Sequence, residues 1–138
     1  MQIQHYEAVC QTQALPLLVR GWHELLTADL TDGTIIIGWD HKAIVAFSDA
    51  GMPIGALSWI DQEWGNQLFI PLAYVLPEHR RQGVYTAMWN VLVDKAVELK
   101  RPVIASGTSI RNTACRATMA KLGRIERGIY TRFDVPLP

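Results

Sequence analysis

The stretch VLPEHRRQGVYTAMW, Val75 to Trp89, begins as the end of an apolar strand and closes as a helix. Between the two lie Pro77, the basic pair Arg80–Arg81 and a single glycine, Gly83. A helix start has four backbone N–H groups without intrahelical partners, together with the positive end of the helix dipole. Placed after a strand, such a start can cradle a phosphate or pyrophosphate. Gly83 carries no Cβ to hold a ligand off the main chain. Arg80 and Arg81 bring charge and forked donors suited to phosphate oxygens. The same residues would also make an ordinary solvated loop, and one glycine does not decide between the two. A P-loop needs G-x-x-x-x-G-K-[ST], which is absent, and a dinucleotide fingerprint needs three spaced glycines where only Gly83 stands.

Outward from this joint, the periodicity sets the elements. Val84, Met88, Leu92, Ala96 and Leu99 form one helical stripe, which predicts a helix from Gly83 that Pro102 ends. VIASG, from Val103, reads as a short strand of the buried, parallel-sheet type. Asn112 is a good N-cap for a further helix, with Gly123 as its C′ residue. GIYTRFDV alternates as a final strand. Upstream, residues 2–8 are a candidate strand and 13–28 a helix carrying Leu15, Leu18, Trp22, Leu25 and Leu26 at helical spacing. Gly21 is a local breaker signal inside that helix. AIVAF and PIGALSWI, joined by SDAG, read as a β-hairpin, followed after DQEWGN by the strand QLFIPLAYVL. Pro71 inside that strand marks an edge, a bulge or a splayed position, because it has no N–H to give. TIIIGW is either a short strand or a buried loop. The order predicts one α/β (α+β) domain over residues 1–138, with a largely antiparallel sheet.

The totals restrict function. Hydrophobic residues make up 49% of the chain and charged residues 19%, as in a globular protein. Lys plus Arg and Asp plus Glu number 13 each, so no basic excess supports a nucleic-acid partner. Cys10 and Cys115 are expected to be free thiols. His5, His23, His41 and His79 show no ligand spacing with one another or with the cysteines, so no metal is expected. ALPLLV is too short for a signal segment and no run of about 18 apolar residues occurs, so the expectation is a cytoplasmic protein without a membrane partner.

VLPEHRRQGVYTAM resembles the acetyl-CoA-binding motif of the GNAT-type N-acetyltransferase superfamily, a strand ending in Val-x-Pro and then Arg/Gln-x-x-Gly-x-Gly/Ala opening a helix. Val75 and Pro77 match the strand end, and Arg80 and Gly83 match the first two motif positions. Tyr85 stands where a second small residue is usual. NTACRATMAKLGR is similar to that family's later helix, N-x-x-A-x-x-x-Y-x-x-x-G-F, with Asn112 and Gly123 in register and Cys115 at the small position.

The resemblance implies a GNAT-like mixed sheet with helices on both faces and a V-shaped splay between its two central strands. It implies acetyl-CoA as co-substrate and direct attack by an amine in a ternary complex. Main chain at Val75 and Leu76, next to Pro77, would pair with the pantetheine arm. Arg80, Arg81, and the amides of Gln82, Gly83, Val84 and Tyr85, with the hydroxyl of Thr86, would meet the pyrophosphate. Asn112 would also bind the cofactor, and a backbone N–H at Val75 would stabilise the oxyanion. Tyr85 is expected to contribute its amide and to turn its ring away. Two positions depart from the family: Met119 replaces the tyrosine that acts as general acid, and Pro71 the carboxylate that acts as base. Glu63, in the turn before the strand, is the replacement base considered, with Asp61 beside it; Tyr74 and Tyr130 are read as packing residues. Ser106, Thr108 and Ser109 follow the splayed strand as hydrogen-bonding groups. Trp39, Trp59 and Trp64 would form a substrate wall, core, or a homodimer face. A catalytically weak acyl-CoA-binding regulatory module is the alternative function, and the acceptor, a small-molecule or peptide amine, is not written in the sequence.

Overall fold

The computed structural model describes residues 1–31, 37–128 and 136. Strands β1 (Gln2–Tyr6), β2 (Lys42–Phe47), β3 (Pro53–Gln62), β4 (Gln67–Val75) and β5 (Val103–Ser106) form one five-stranded sheet in sequence order. Neighbours are antiparallel except β4 and β5, which run parallel. Helix α1 (Ala14–Thr27) packs on one face, helix α2 (Val84–Glu98) crosses the other, and α3 (Thr113–Lys121) follows β5.

Strand alternation divides the core. Ile44, Ala46, Leu57 and Trp59 join Val84, Met88, Leu92 and Ala96 of α2 in one cluster. Ala43, Val45 and Ala56 join Ala14, Leu17 and Leu18 of α1 in the other. Met88 and Leu92 are fully buried, each worth about 2 kcal/mol of transfer free energy. The helix expected over 13–28 runs unbroken through Gly21. Gly21 is an approach point: a Cβ on it would lie 2.6 Å from the ring of Tyr74.

Pro71 governs the functional end of the sheet. Ser58 faces Leu72 and Ile60 faces Phe69, so β4 carries one residue more than β3 over this interval, a β-bulge. The bulge reverses the facing of β4. Leu68 and Ile70 belong to the α2-side cluster, whereas Leu72 and Tyr74 belong to the α1 side. The ladder with β5 runs from Gln67–Val103 to Ile70–Ser106 and stops at the residue before Pro71. Proline has no N–H to continue it, and β4 goes on to Val75 with one edge unpaired among the described residues.

Residues 129–135 of GIYTRFDV, Tyr130 among them, lie outside the described residues, as do residues 34–36 of TIIIGW. Ile37 and Gly38 are loop, and Trp39 lies in a turn. No described helix is long and apolar enough to cross a membrane.

Candidate active site at the end of β4

The joint between β4 and α2 is tied at its base and open at its tip. Leu76 N–H donates to the Ile54 carbonyl at 2.9 Å, then Pro77–His79 forms a 3-10 turn in which His79 N–H returns to Leu76. Arg81 and Gly83 both have positive φ, 62° and 80°. For Arg81 this conformation costs about 1 kcal/mol, which glycine does not incur. Gln82 donates to the Glu78 carbonyl at 3.0 Å, closing the loop. Gly83 is the N-cap of α2, and no side chain caps that helix. The first intrahelical bond is Ala87 N–H to Gly83 O, 2.9 Å. The amides of Gly83, Val84, Tyr85 and Thr86 therefore have no partner among the described residues. A Cβ on Gly83 would meet nothing within 4 Å, so the space beside that residue is open.

β4 supplies the second half of the site. The bond from Leu76 to Ile54, with Val75 opposite Gly55, places residues 72, 74 and 76 in hydrogen-bonded register with β3. By that alternation the N–H groups of Ala73 and Val75 point away from β3, toward the unpaired edge. Pro71 lacks an N–H and cannot contribute.

Arg80 turns away from the helix start. Its Nε donates to the Val75 carbonyl at 2.9 Å and its Nη2 to Glu24 of α1 at 2.7 Å. The guanidinium lies 5.3 Å over the Tyr74 ring. The Tyr74 hydroxyl donates to the other Glu24 oxygen at 2.7 Å. Partial desolvation pushes the Glu24 carboxyl up. The bonds from Tyr74 and Arg80 and the charges of Arg80 and Arg20 outweigh it, holding the group below the usual carboxylate range.

Across the gap, Tyr85 turns its ring back toward the end of β5, where it is half-buried. Arg124 donates to the Tyr85 hydroxyl at 3.5 Å and to Ser106 Oγ, and its guanidinium lies 4.9 Å over the Trp89 ring. Burial pushes the Tyr85 phenol above its ordinary pKa despite the Arg124 charge, so it stays protonated. Arg124 escaped the sequence reading. Its only signal was that it follows Gly123, where the family motif has phenylalanine. Asn112 uses its side-chain oxygen to cap α3, accepting from Cys115 N–H at 3.1 Å. Met119 is half-buried one turn further on.

The remaining candidates are not gathered here. Glu63 stands in the turn before β4, 82% exposed and 3.5 Å from Arg101. The nine-residue strand carries Val75 roughly 25 Å from that end. Asp61 is held by Arg101 at 2.7 and 3.1 Å. Ser109 accepts from Arg111 N–H in the turn before α3, and Thr108 is exposed. Trp59 is core, whereas Trp39 and Trp64 are 87% and 86% exposed, so the three indoles do not make one wall. Arg81 and Thr86 are exposed beside the open amides. Among the described residues no group of three His, Cys, Asp or Glu is placed to hold a metal, and both cysteines are free.

The sequence matches the acetyltransferase (GNAT) family over residues 8–123. The chain belongs to that family. As a GNAT protein it is an acyltransferase, and the mixed five-stranded sheet with helices on both faces is the family's fold. Solved structures agree on the fold of this GNAT chain. The aminoglycoside 6'-N-acetyltransferase AAC(6')-IG from Acinetobacter haemolyticus is 22% identical with a TM-score of 0.65, covering 100% of both chains. Aminoglycoside N-acetyltransferase AAC(6')-Iy in complex with CoA is 20% identical, TM-score 0.67, covering 97% of this chain and 100% of its own. A ribosomal-protein-alanine N-acetyltransferase from Brucella melitensis biovar Abortus is 15% identical, TM-score 0.66, covering 99% of this chain and 100% of its own. No curated protein matches the GNAT chain in sequence.

Proposed function

We propose that the protein transfers an acetyl group from acetyl-CoA to an amine by direct attack within a ternary complex. The observation that carries this reading is the open start of α2 set beside the unpaired edge of β4. Four amides at the start of α2 have no partner among the described residues and are available to a pyrophosphate, with Arg81 and Thr86 exposed beside them. The N–H and C=O groups of Ala73 offer a strand edge that a pantetheine amide would extend, which leaves the N–H of Val75 for the reacting carbonyl. Val75 N–H is the donor for the oxyanion that forms when the amine nitrogen adds to the thioester carbon. One well-aimed donor of this kind is worth roughly 3 kcal/mol. The nitrogen gives up its proton to water, the C–S bond breaks toward sulfur, and a thiolate whose acid has a pKa of about 8.5 leaves at neutral pH without an acid on the protein. Positioning supplies the remainder of the acceleration.

The aminoglycoside and ribosomal-protein acetyltransferases of this fold support an amine as the acceptor. Met119 and Pro71, at the family's usual acid and base positions, favour the second reading, an acyl-CoA-binding regulator with little turnover. Thiol release from acetyl-CoA with a panel of mono-, di- and polyamines separates the two. Release that depends on the amine supports the enzyme. Stabilisation by acetyl-CoA, about 2.7 kcal/mol at 100 times Kd, without release for any amine supports the regulator.

A further inference from the structure

Arg80 stands at the first basic position of the joint, yet its guanidinium spans from the Val75 carbonyl to Glu24. Glu24 is thereby one guanidinium away from the residue whose N–H is assigned to the oxyanion. Its carboxylate is oriented by the Tyr74 hydroxyl and remains 41% exposed, while Arg80 is 42% exposed. A half-exposed pair of this kind adds little stability, so its interest lies in where it sits. Helix α2 packs on the opposite face of β4, while Tyr74 and the half-exposed Glu24 lie on the α1 side of the strand end. Arg80 also has two anionic claimants: the single charge of Glu24 and, in the acetyl-CoA complex, a pyrophosphate at the amides a few residues along the chain. Its long side chain can reach either by rotamer change, and a diphosphate offers more charge and more acceptors than one carboxylate.

We infer that Glu24 is a specificity-determining residue for the acceptor: it binds a second ammonium group of a polycationic amine, and Arg80 occupies it until the cofactor draws the guanidinium away. Arg80 thus stands in for the acceptor's cation in the free protein. The ligand class is a diamine or polyamine whose second charge lies a short linker from the reacting nitrogen. A monoamine has nothing to place there. Cofactor binding would precede and assist binding of such an acceptor, because one event exposes the carboxylate the other needs. The inference rests on the acetyl-CoA reading of the site.

The experiment compares 1,4-diaminobutane with butylamine as acceptors for wild type and Glu24→Gln, with CoA affinity measured by calorimetry on both proteins. The glutamine keeps the size of the side chain and an acceptor for Tyr74, and Glu24→Asp serves as a second variant that keeps the charge. The preference for diamine over monoamine in kcat/KM is expected to fall about fivefold in Glu24→Gln. The fall should be carried by KM, with CoA affinity unchanged or tighter and with partial recovery in Glu24→Asp. CoA binding by wild type and Glu24→Gln alike, with the preference unchanged, overturns the inference and leaves the acetyl-CoA reading intact. Loss of preference accompanied by an equal loss of CoA affinity also overturns it, since Glu24 would then act through the joint. Failure of wild type to bind CoA removes the reading and the inference together.

Discussion

The helices that follow β4 and β5 start in opposite ways. At α3, Asn112 N–H donates to Ser109 O at 2.9 Å and Thr113 N–H to Arg111 O at 3.0 Å, and Cys115 N–H reaches the Asn112 side chain. Only Ala114 N–H is left over. At α2, none of the four equivalent amides, Gly83 to Thr86, has a partner among the described residues. An N-cap side chain is worth about 1 kcal/mol of stability, and α2 forgoes it although it is the longer helix and the more buried. Its anchorage comes from Val84, Met88, Leu92 and Ala96 in the core. A helix held by packing can leave its first turn uncapped and keep those amides for a ligand. α3 has no buried residue and relies on its cap.

The contrast can be broken most severely at Gly83. Gly83→Glu puts a side chain and a negative charge into the open space, and is expected to weaken CoA binding at least 100-fold, about 2.7 kcal/mol. Calorimetry reads it directly, and unchanged affinity would remove the phosphate role of the joint. Gly83→Ala is subtler. Its Cβ meets no protein atom, but the φ of 80° costs about 1 kcal/mol, so a lower Tm should accompany roughly tenfold weaker CoA binding. Asn112→Ala tests the capped start: denaturant unfolding should show a loss of about 1 kcal/mol, with far less effect on CoA affinity than Gly83→Glu. The smallest effect is expected at Met119→Ala, where thiol-release kcat should stay within about tenfold of wild type. A drop of several thousandfold in a folded variant would give Met119 a role that its thioether cannot supply as an acid.

These positions differ in how legible they were. Gly83 and Asn112 could be read because helix starts and caps are local and written in consecutive residues. Pro71 could be flagged for its missing N–H. That its bulge swaps the faces of β4 depends on the register with β3, which the β4 sequence does not carry. Glu63 shows the opposite error: nearness in sequence to the start of a strand became distance from its end once nine residues were laid out straight. The pairing of Glu24 with Arg80, and the grip of Arg124 on Tyr85 and Ser106, join residues far apart in the chain. Such contacts emerge only when the sheet brings its flanking helices together.

Amides of α2 that are left uncapped for the cofactor must be shielded when it binds. Residue-level amide hydrogen exchange with and without CoA tests it without reference to any acceptor. Exchange at Gly83, Val84, Tyr85 and Thr86 is predicted to slow about tenfold or more at saturating CoA, while Thr113 and Cys115 at the start of α3 change little. Binding of CoA that leaves Gly83 to Thr86 exchanging as fast as in the free protein would contradict it.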